Sequence, residues 1–276
     1  MHTQAQIRRI PKLAAPNLIP DPEKMRAFAV DHGFDGIDWS FDLDHLPKTP
    51  AEETRWAVRQ EILKPLEVRY HCPFLQVDIG HEDAESRAYA MDIFRRMIRL
   101  VSKARRNYLS LHVGLGHDTM KILSWEATVR NLRELVQFGA ACGVTVCLEN
   151  LIWGWSSKPN LFEKLVRRGG THVTVDIGHA YACESVQSQA YRFKDFISPH
   201  REKVVCAHVY HYEVPGIGHI PPSRVSDVAD RLDLLLQTPC RWWVLEIRVA
   251  DELLQTKAVV DAYLNVLAQK TAGIRT

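Results

Sequence analysis

Long apolar runs are missing from this chain: no stretch approaches the roughly 18 consecutive apolar residues that a membrane-spanning helix needs. The opening MHTQAQIRRIPK carries no apolar signal core either. The six cysteines (72, 142, 147, 183, 206 and 240) form no CxxC pair and no disulfide-framework spacing. Several sit inside apolar runs, as small buried hydrophobes do. These absences point to a reducing cytoplasm and to no membrane partner. Charge of one sign is also scarce, at a formal net +2. No large basic field is expected, and nucleic acid is not a favoured partner. The densest basic clusters, Arg95–Arg96–Arg99 and Lys103–Arg105–Arg106, fall on an amphipathic pattern and read as a solvated helix face. Low-complexity segments, linkers and close repeats are lacking, so residues 1–276 are expected to form one domain. A homo-oligomer is compatible with this composition.

The alternation of patterns predicts eight strands and eight helices. Strands are expected at 13–19, 35–39, 66–71, 108–113, 144–149, 172–176, 203–209 and 241–247. Helices are expected near 22–32, 51–63, 83–104, 124–141, from Pro159, and near 185–197, 223–236 and 251–270. Asp21 before Pro22 is a helix-start signal. The strands are continuous apolar runs, as in parallel sheets covered on both faces. Regular strand–helix alternation over about 250 residues argues for an α/β chain closed into a (β/α)8 barrel. An open doubly wound sheet would place a glycine-rich phosphate turn after the first strand, and LAAPNLIPDP has no glycine.

What the chain does have is a series of apolar runs closing on residues that can bind metal. They read RYHCP (His71), LSLHVG (His112), VCLENL (Glu149), VTVDIGH (Asp176), CAHVYH (His208) and WWVLEI (Glu246). The intervals are 41, 37, 27, 32 and 38 residues, close to the length of a strand–helix unit returning to a parallel neighbour. In a barrel the C-terminal strand ends form one functional rim. A charge at a buried strand end is costly unless paired or bound to a cation. Glu149, Asp176, His208 and Glu246 therefore predict a divalent metal site. Mn²⁺ or Zn²⁺ suits three carboxylates and an imidazole best, with Mg²⁺ or Co²⁺ next. His71 and His112 either hold a second metal with Glu149 as the bridge or hydrogen-bond a substrate. His179, His211 and His219 could face the same bowl, and Arg248 could bind a substrate anion. Trp153 and Trp155 would either stack on a sugar or anchor their loop. Trp242 and Trp243 are expected in the core.

Together His71, His112, Glu149, Asp176-x-x-His179, His208 and Glu246, with CLENL, TVDIGHA and GHIPP, resemble the xylose isomerase-like barrel superfamily. That group holds sugar and sugar-phosphate isomerases and epimerases together with endonuclease IV-type AP endonucleases. In its epimerase branch the positions matching Glu149, Asp176, His208 and Glu246 bind one divalent metal. The two glutamates serve as acid and base, and the match to His179 contacts substrate. In its endonuclease branch, matches to His71, His112 and Glu149 bind one zinc, and Glu149, Asp176, His208 and Glu246 a second. A third zinc there uses the match to His179 and an Asp-x-His pair. Here the pair reads Ile217-Gly218-His219, so the third site is expected to be incomplete. His211 stands where many relatives carry an acid or amide. The resemblance implies a metal-dependent isomerase or epimerase of a small sugar-like substrate, phosphorylated or not, acting through an enediolate. Its alternative is a zinc-dependent phosphodiesterase using a two-metal site.

Overall fold

In the computed structural model, residues 10–104, 107–114 and 119–272 are described, the side chains of 119 and 270–272 excepted. Eight parallel strands close into a barrel, so the expected α/β architecture is the observed one. These are β1 (Lys12–Pro16), β2 (Gly36–Ser40), β3 (Glu67–Cys72), β4 (Tyr108–Leu111), β5 (Thr145–Glu149), β6 (His172–Asp176), β7 (Val204–His208) and, closing the barrel against β1, β10 (Trp242–Val244). Between the last two barrel strands lie the short antiparallel β8 (Tyr212–Val214) and β9 (Gly218–Ile220). The barrel order is β1-β10-β7-β6-β5-β4-β3-β2.

Helices cover the outside: α1 (Pro22–Asp31), α2 (Pro50–Ile62), α3 (Ala84–Val101), α4 (Trp125–Ala141), α5 (Pro159–Gly169), α6 (Ile177–Ala182), α7 (Glu184–Gln187), α8 (Ala229–Leu236) and α9 (Ala250–Ala272). Local chemistry starts them where the sequence says. The Asp21 side chain accepts from the Lys24 amide ahead of Pro22, and Thr49 with Glu52 forms a reciprocal capping box at α2.

The expected helix over 185–197 is corrected. Asp176 caps the chain immediately after β6, its side chain accepting from the His179 amide, so α6 begins at Ile177. Extended Cys183 then ends it, and α7 and two 3₁₀ segments (Phe193–Phe196 and Ser198–Lys203) follow before β7. The expected helix at 223–236 begins only at Ala229, because Val228 is in a non-helical conformation after a 3₁₀ turn. The first strand stops at Pro16 rather than residue 19, where Leu18 bonds back to the Pro16 carbonyl.

Strand alternation sorts the last strand's tryptophans. Trp242 lies with Ala14, Cys206 and Val244 inside the barrel, whereas Trp243 joins the larger core. Both are fully buried, as expected. The Arg69 guanidinium lies over the Trp242 and Tyr108 rings, 4.7 and 4.0 Å from their centroids. Above it Ser110 and Thr174 hydroxyls meet across the lumen at 2.5 Å. The interior is thus filled in layers, leaving its open end to polar groups. On the outside, Arg95 pairs with Glu134, Lys103 with Glu53, and Arg99 lies over Phe138, as a solvated helix face should. Arg105, Arg106, His2 and His117 lie outside the described residues. All six cysteines are free thiols, and among the described residues no helix is long and apolar enough to cross a membrane.

Candidate metal centre

Parallel register delivers the strand-end residues to one place. Asp176 is the direct register partner of His208, and His208 that of Val244. Glu149 ends β5, and Glu246 lies two residues beyond β10. One donor atom from each of Glu149, Asp176, His208 and Glu246 lies within 4.8 Å of the others, and all four residues are buried. The His208 Nδ1 atom sits 3.2 Å from Glu149 Oε1 and 2.9 Å from Glu246 Oε2.

Neither Glu149 oxygen, Asp176 Oδ2 nor either His208 nitrogen has a hydrogen-bond partner. Buried polar atoms are otherwise satisfied in native structures, so converging orphans fit a cation. No Lys or Arg lies within ion-pair distance of these carboxylates among the described residues, so the charge partners nearest to them are histidines. The group is also held rigidly. The Asn150 amide donates to the Asp176 carbonyl and its oxygen accepts from the Asp176 amide, clamping β5 to β6.

A second donor group adjoins the first. His71 Nε2 lies 3.1 Å from His112 Nε2 and 3.2 Å from Glu149 Oε2, and His112 Nε2 lies 3.4 Å from Glu149 Oε1. Glu149 belongs to both groups.

A third group gathers around His179 and His219, with an acid that the sequence reading did not include. His179, His219 and Glu213 bring donor atoms together, with Glu213 Oε2 2.9 Å from His179 Nε2. Glu213 faces His219 directly across the β8–β9 hairpin. Position 217 does lack an acid, but cross-strand pairing supplies one from four residues earlier. Sequence reasoning missed Glu213 because strands of three residues leave no period-two signal. It also missed Asp38 on β2, which is 1% exposed and lies with His71 and His208 in a further group. An Asp in DGIDW, followed by a residue on the opposite face, looks like a surface alternation.

Electrostatics follow from burial and crowding. Burial pushes the Glu149 carboxyl up, but His208, His112 and His71 outweigh it and hold it well below the usual range. Glu246 is likewise held down against burial, chiefly by His208. Burial lifts Asp38 to about 7, with the Glu246 and Glu149 charges adding to it and His208 opposing. Burial also lifts Asp176, to about 6. For His179 burial is overcome by Asp176, Glu213 and Glu149, and its imidazole rises to about 10. His208 is raised well above its ordinary value by Glu149 and Glu246, again against burial. Burial lowers His71 to about 4, leaving it neutral and free to donate a lone pair.

The remaining candidates are placed unevenly. The Trp153 ring stands 6.2 Å from His179, over the third group. Trp155 packs edge-on against Trp125 of α4, anchoring its loop. His211 turns aside, its Nδ1 facing the Asp227 carbonyl and the buried Arg231, with its ring stacked on Tyr181. Arg248 is exposed and lines a cleft of about 340 Å³ on the same rim, with Asn17, Ser40 and Gln76.

Gly178 shows how tightly the third group is built. A Cβ there would lie 2.0 Å from the Tyr210 ring, and that ring stacks on His219 at 3.9 Å and 8°. Gly178→Ala is expected to displace Tyr210 and destabilise by about 1–3 kcal/mol through overpacking. Thermal denaturation checks this, and an unchanged midpoint would refute the packing argument.

The barrel is closed and parallel, and buried carboxylates and imidazoles that could hold a cation converge at its C-terminal rim. Residues 26–222 match the family described as xylose isomerase-like TIM barrel, and the chain belongs to that family. Glu246 lies beyond the matched stretch. The chain is 27% identical over 199 residues to protein MJ0008 of Methanocaldococcus jannaschii, covering 72% of this chain and 81% of that one. Among solved structures it is similar to a D-tagatose 3-epimerase-like protein (TM-score 0.70, 16% identity, 94% of this chain and 99% of that one). It is also similar to endonuclease IV from Thermus thermophilus (TM-score 0.62, 15% identity, 92% and 99%). At such identities the likeness concerns the fold.

Proposed function

We propose that the protein is a divalent-metal-dependent isomerase or epimerase of a small sugar or sugar-like substrate, phosphorylated or not. The observation that carries this reading is the pair Glu149 and Glu246, which reach one buried donor group from the end of β5 and from just beyond β10, with His208 between them. The several sugar epimerases among similar folds support it, including D-psicose 3-epimerase with D-tagatose and L-ribulose 3-epimerase. Glu149, Asp176, His208 and Glu246 would hold the ion, and Mn²⁺ or Zn²⁺ suits them best. A bound divalent ion supplies Lewis-acid stabilisation of negative charge developing on substrate oxygens. Glu246 takes the proton from the carbon beside the carbonyl, and Glu149 returns one on the other face. His179 orients a substrate hydroxyl while Trp153 keeps water from the reacting carbon. The test is solvent deuterium uptake into a panel of ketoses and ketose phosphates by the Mn²⁺-loaded protein. Uptake by wild type and its loss of about 10²–10⁴-fold in Glu246→Gln is expected. Undiminished uptake in that variant would sink the mechanism.

A second reading, metal-dependent phosphodiester hydrolysis, is favoured by a specific observation: the His71–His112–Glu149 group shares Glu149 with the first. Adjacent ions sharing a carboxylate suit activation of water and a leaving oxygen. Cleavage of bis-p-nitrophenyl phosphate or of abasic DNA, with no deuterium uptake into any ketose, would establish it over the first.

A further inference from the structure

Asp38 is a buried carboxylate that the strand-end pattern leaves unexplained. Its Oδ1 atom has no hydrogen-bond partner, and no Lys or Arg of the described residues lies within ion-pair distance of it. Burying such a group without compensation is expensive. Asp78, almost as buried, shows how this chain ordinarily satisfies one: it accepts from the Gly80 and Gly114 amides.

The Asp38 Oδ2 atom faces His71 Nδ1 at 3.7 Å, one small side-chain adjustment from a hydrogen bond of about 2.8 Å. The opposite nitrogen of the same ring points at His112 Nε2 and Glu149 Oε2, at 3.1 and 3.2 Å. The imidazole is therefore strung between Asp38 and the second donor group. Two other atoms compete for Nδ1: Glu246 Oε1 at 3.7 Å and Ser40 Oγ at 3.5 Å. Glu246 is anchored through its other oxygen, Oε2, on His208 at 2.9 Å, and the serine hydroxyl carries no charge. Charge also distinguishes Asp38. It brings the buried carboxylates around His208 to four, with Glu149, Asp176 and Glu246, which two divalent ions would neutralise and one would not.

We propose that Asp38 is a positioning residue that accepts the Nδ1 proton of His71, fixing the tautomer whose Nε2 lone pair faces His112 and Glu149 and so completing a site for a second divalent ion. The inference rests on reading the strand ends as a metal centre. Carboxylate partners of ligating histidines set ring orientation and basicity, and their loss costs about 10–100-fold in metal affinity.

The experiment titrates metal-free protein with Co²⁺, following visible absorbance and the ion count per chain. Wild type, Asp38→Asn, His71→Ala and the double variant are compared, with circular dichroism to confirm folding. Wild type is expected to bind at least two ions. Asp38→Asn should weaken the second by about 10–100-fold while the first keeps its affinity and spectrum. The double variant should lose no more than His71→Ala alone, because Asp38 acts through that ring. Two ions with unaltered affinity in Asp38→Asn would overturn the role of Asp38 and leave the metal centre standing. A single ion in wild type would overturn the second site itself, again independently of which reaction is catalysed. Should Asp38→Asn unfold, Asp38→Ser substitutes for it and is read in the same way.

Discussion

Glu149→Gln is expected to be the most damaging single substitution in the chain. Glu149 is shared by two donor groups, and three imidazoles lean on its charge. The amide keeps the volume but carries no charge and offers one oxygen where two now face His71 and His112. Both ions should weaken together, and turnover should fall by at least about 10³-fold, within the range for removal of a general acid or base. In the metal-free protein, breaking the buried Glu149–His208 contact should itself cost about 3–5 kcal/mol, because the imidazolium loses one of its two carboxylates. Ion counts on purified variants, with thermal denaturation of the stripped forms, provide the check. Retention of two ions by Glu149→Gln would mean that the groups are separate sites with no shared ligand. Asp176→Asn, which touches only one group, should lose one ion and is the natural comparison.

The barrel and the convergence of its strand-end residues were legible because both rest on periodic or terminal signals. Continuous apolar runs separated by strand–helix intervals specify parallel pairing, and charges at their ends have nowhere to go but the rim. What escaped detection lies where those signals fail. Asp38 is the third residue of a five-residue strand, so nothing in DGIDW marks it as pointing inward. Glu213 depends on hairpin register, which three-residue strands do not encode. The broken helix after β6 has a different cause: Asp176 serves as strand end, helix cap and candidate ligand at once, so the helix begins without the loop that would announce it. One residue with three roles also explains why the site is stiff. Its backbone is held by Asn150, and Oδ1 is spent on the His179 amide, leaving Oδ2 for the centre.

Removing metal should have the largest effect on stability, and the effect should grow with pH. Without ions, the buried carboxylates must be balanced by protons. His179 has a folded value of about 10, above the ordinary 6.5, so its contribution is complete below 6.5 and is lost as pH rises through 10. Asp176 and Asp38 are raised to about 6 and 7 from 3.8, so the cost of ionising them accrues as pH climbs from 3.8 through those values. All three act in one direction; His71, lowered to about 4, opposes them only between pH 4 and 6.5, so the stripped protein should lose stability most clearly above pH 6.5. Glu149 and Glu246 act oppositely: held below 4.5, they stabilise above it and cease to do so as pH falls through their folded values. Divalent ions replace the protons, so binding should release them and should strengthen as pH rises. At a thousand-fold excess over Kd the gain is about 4 kcal/mol, which for a chain of this size is on the order of 10 °C in Tm. Thermal denaturation with and without chelator at pH 5, 6.5 and 8 should show a gap that widens across the series. Calorimetry in two buffers of different ionisation enthalpy should count the protons released. A gap that is absent at pH 8, or no proton release, would mean that these carboxylates and imidazoles neutralise one another and that the rim is an ion-pair network without a resident cation.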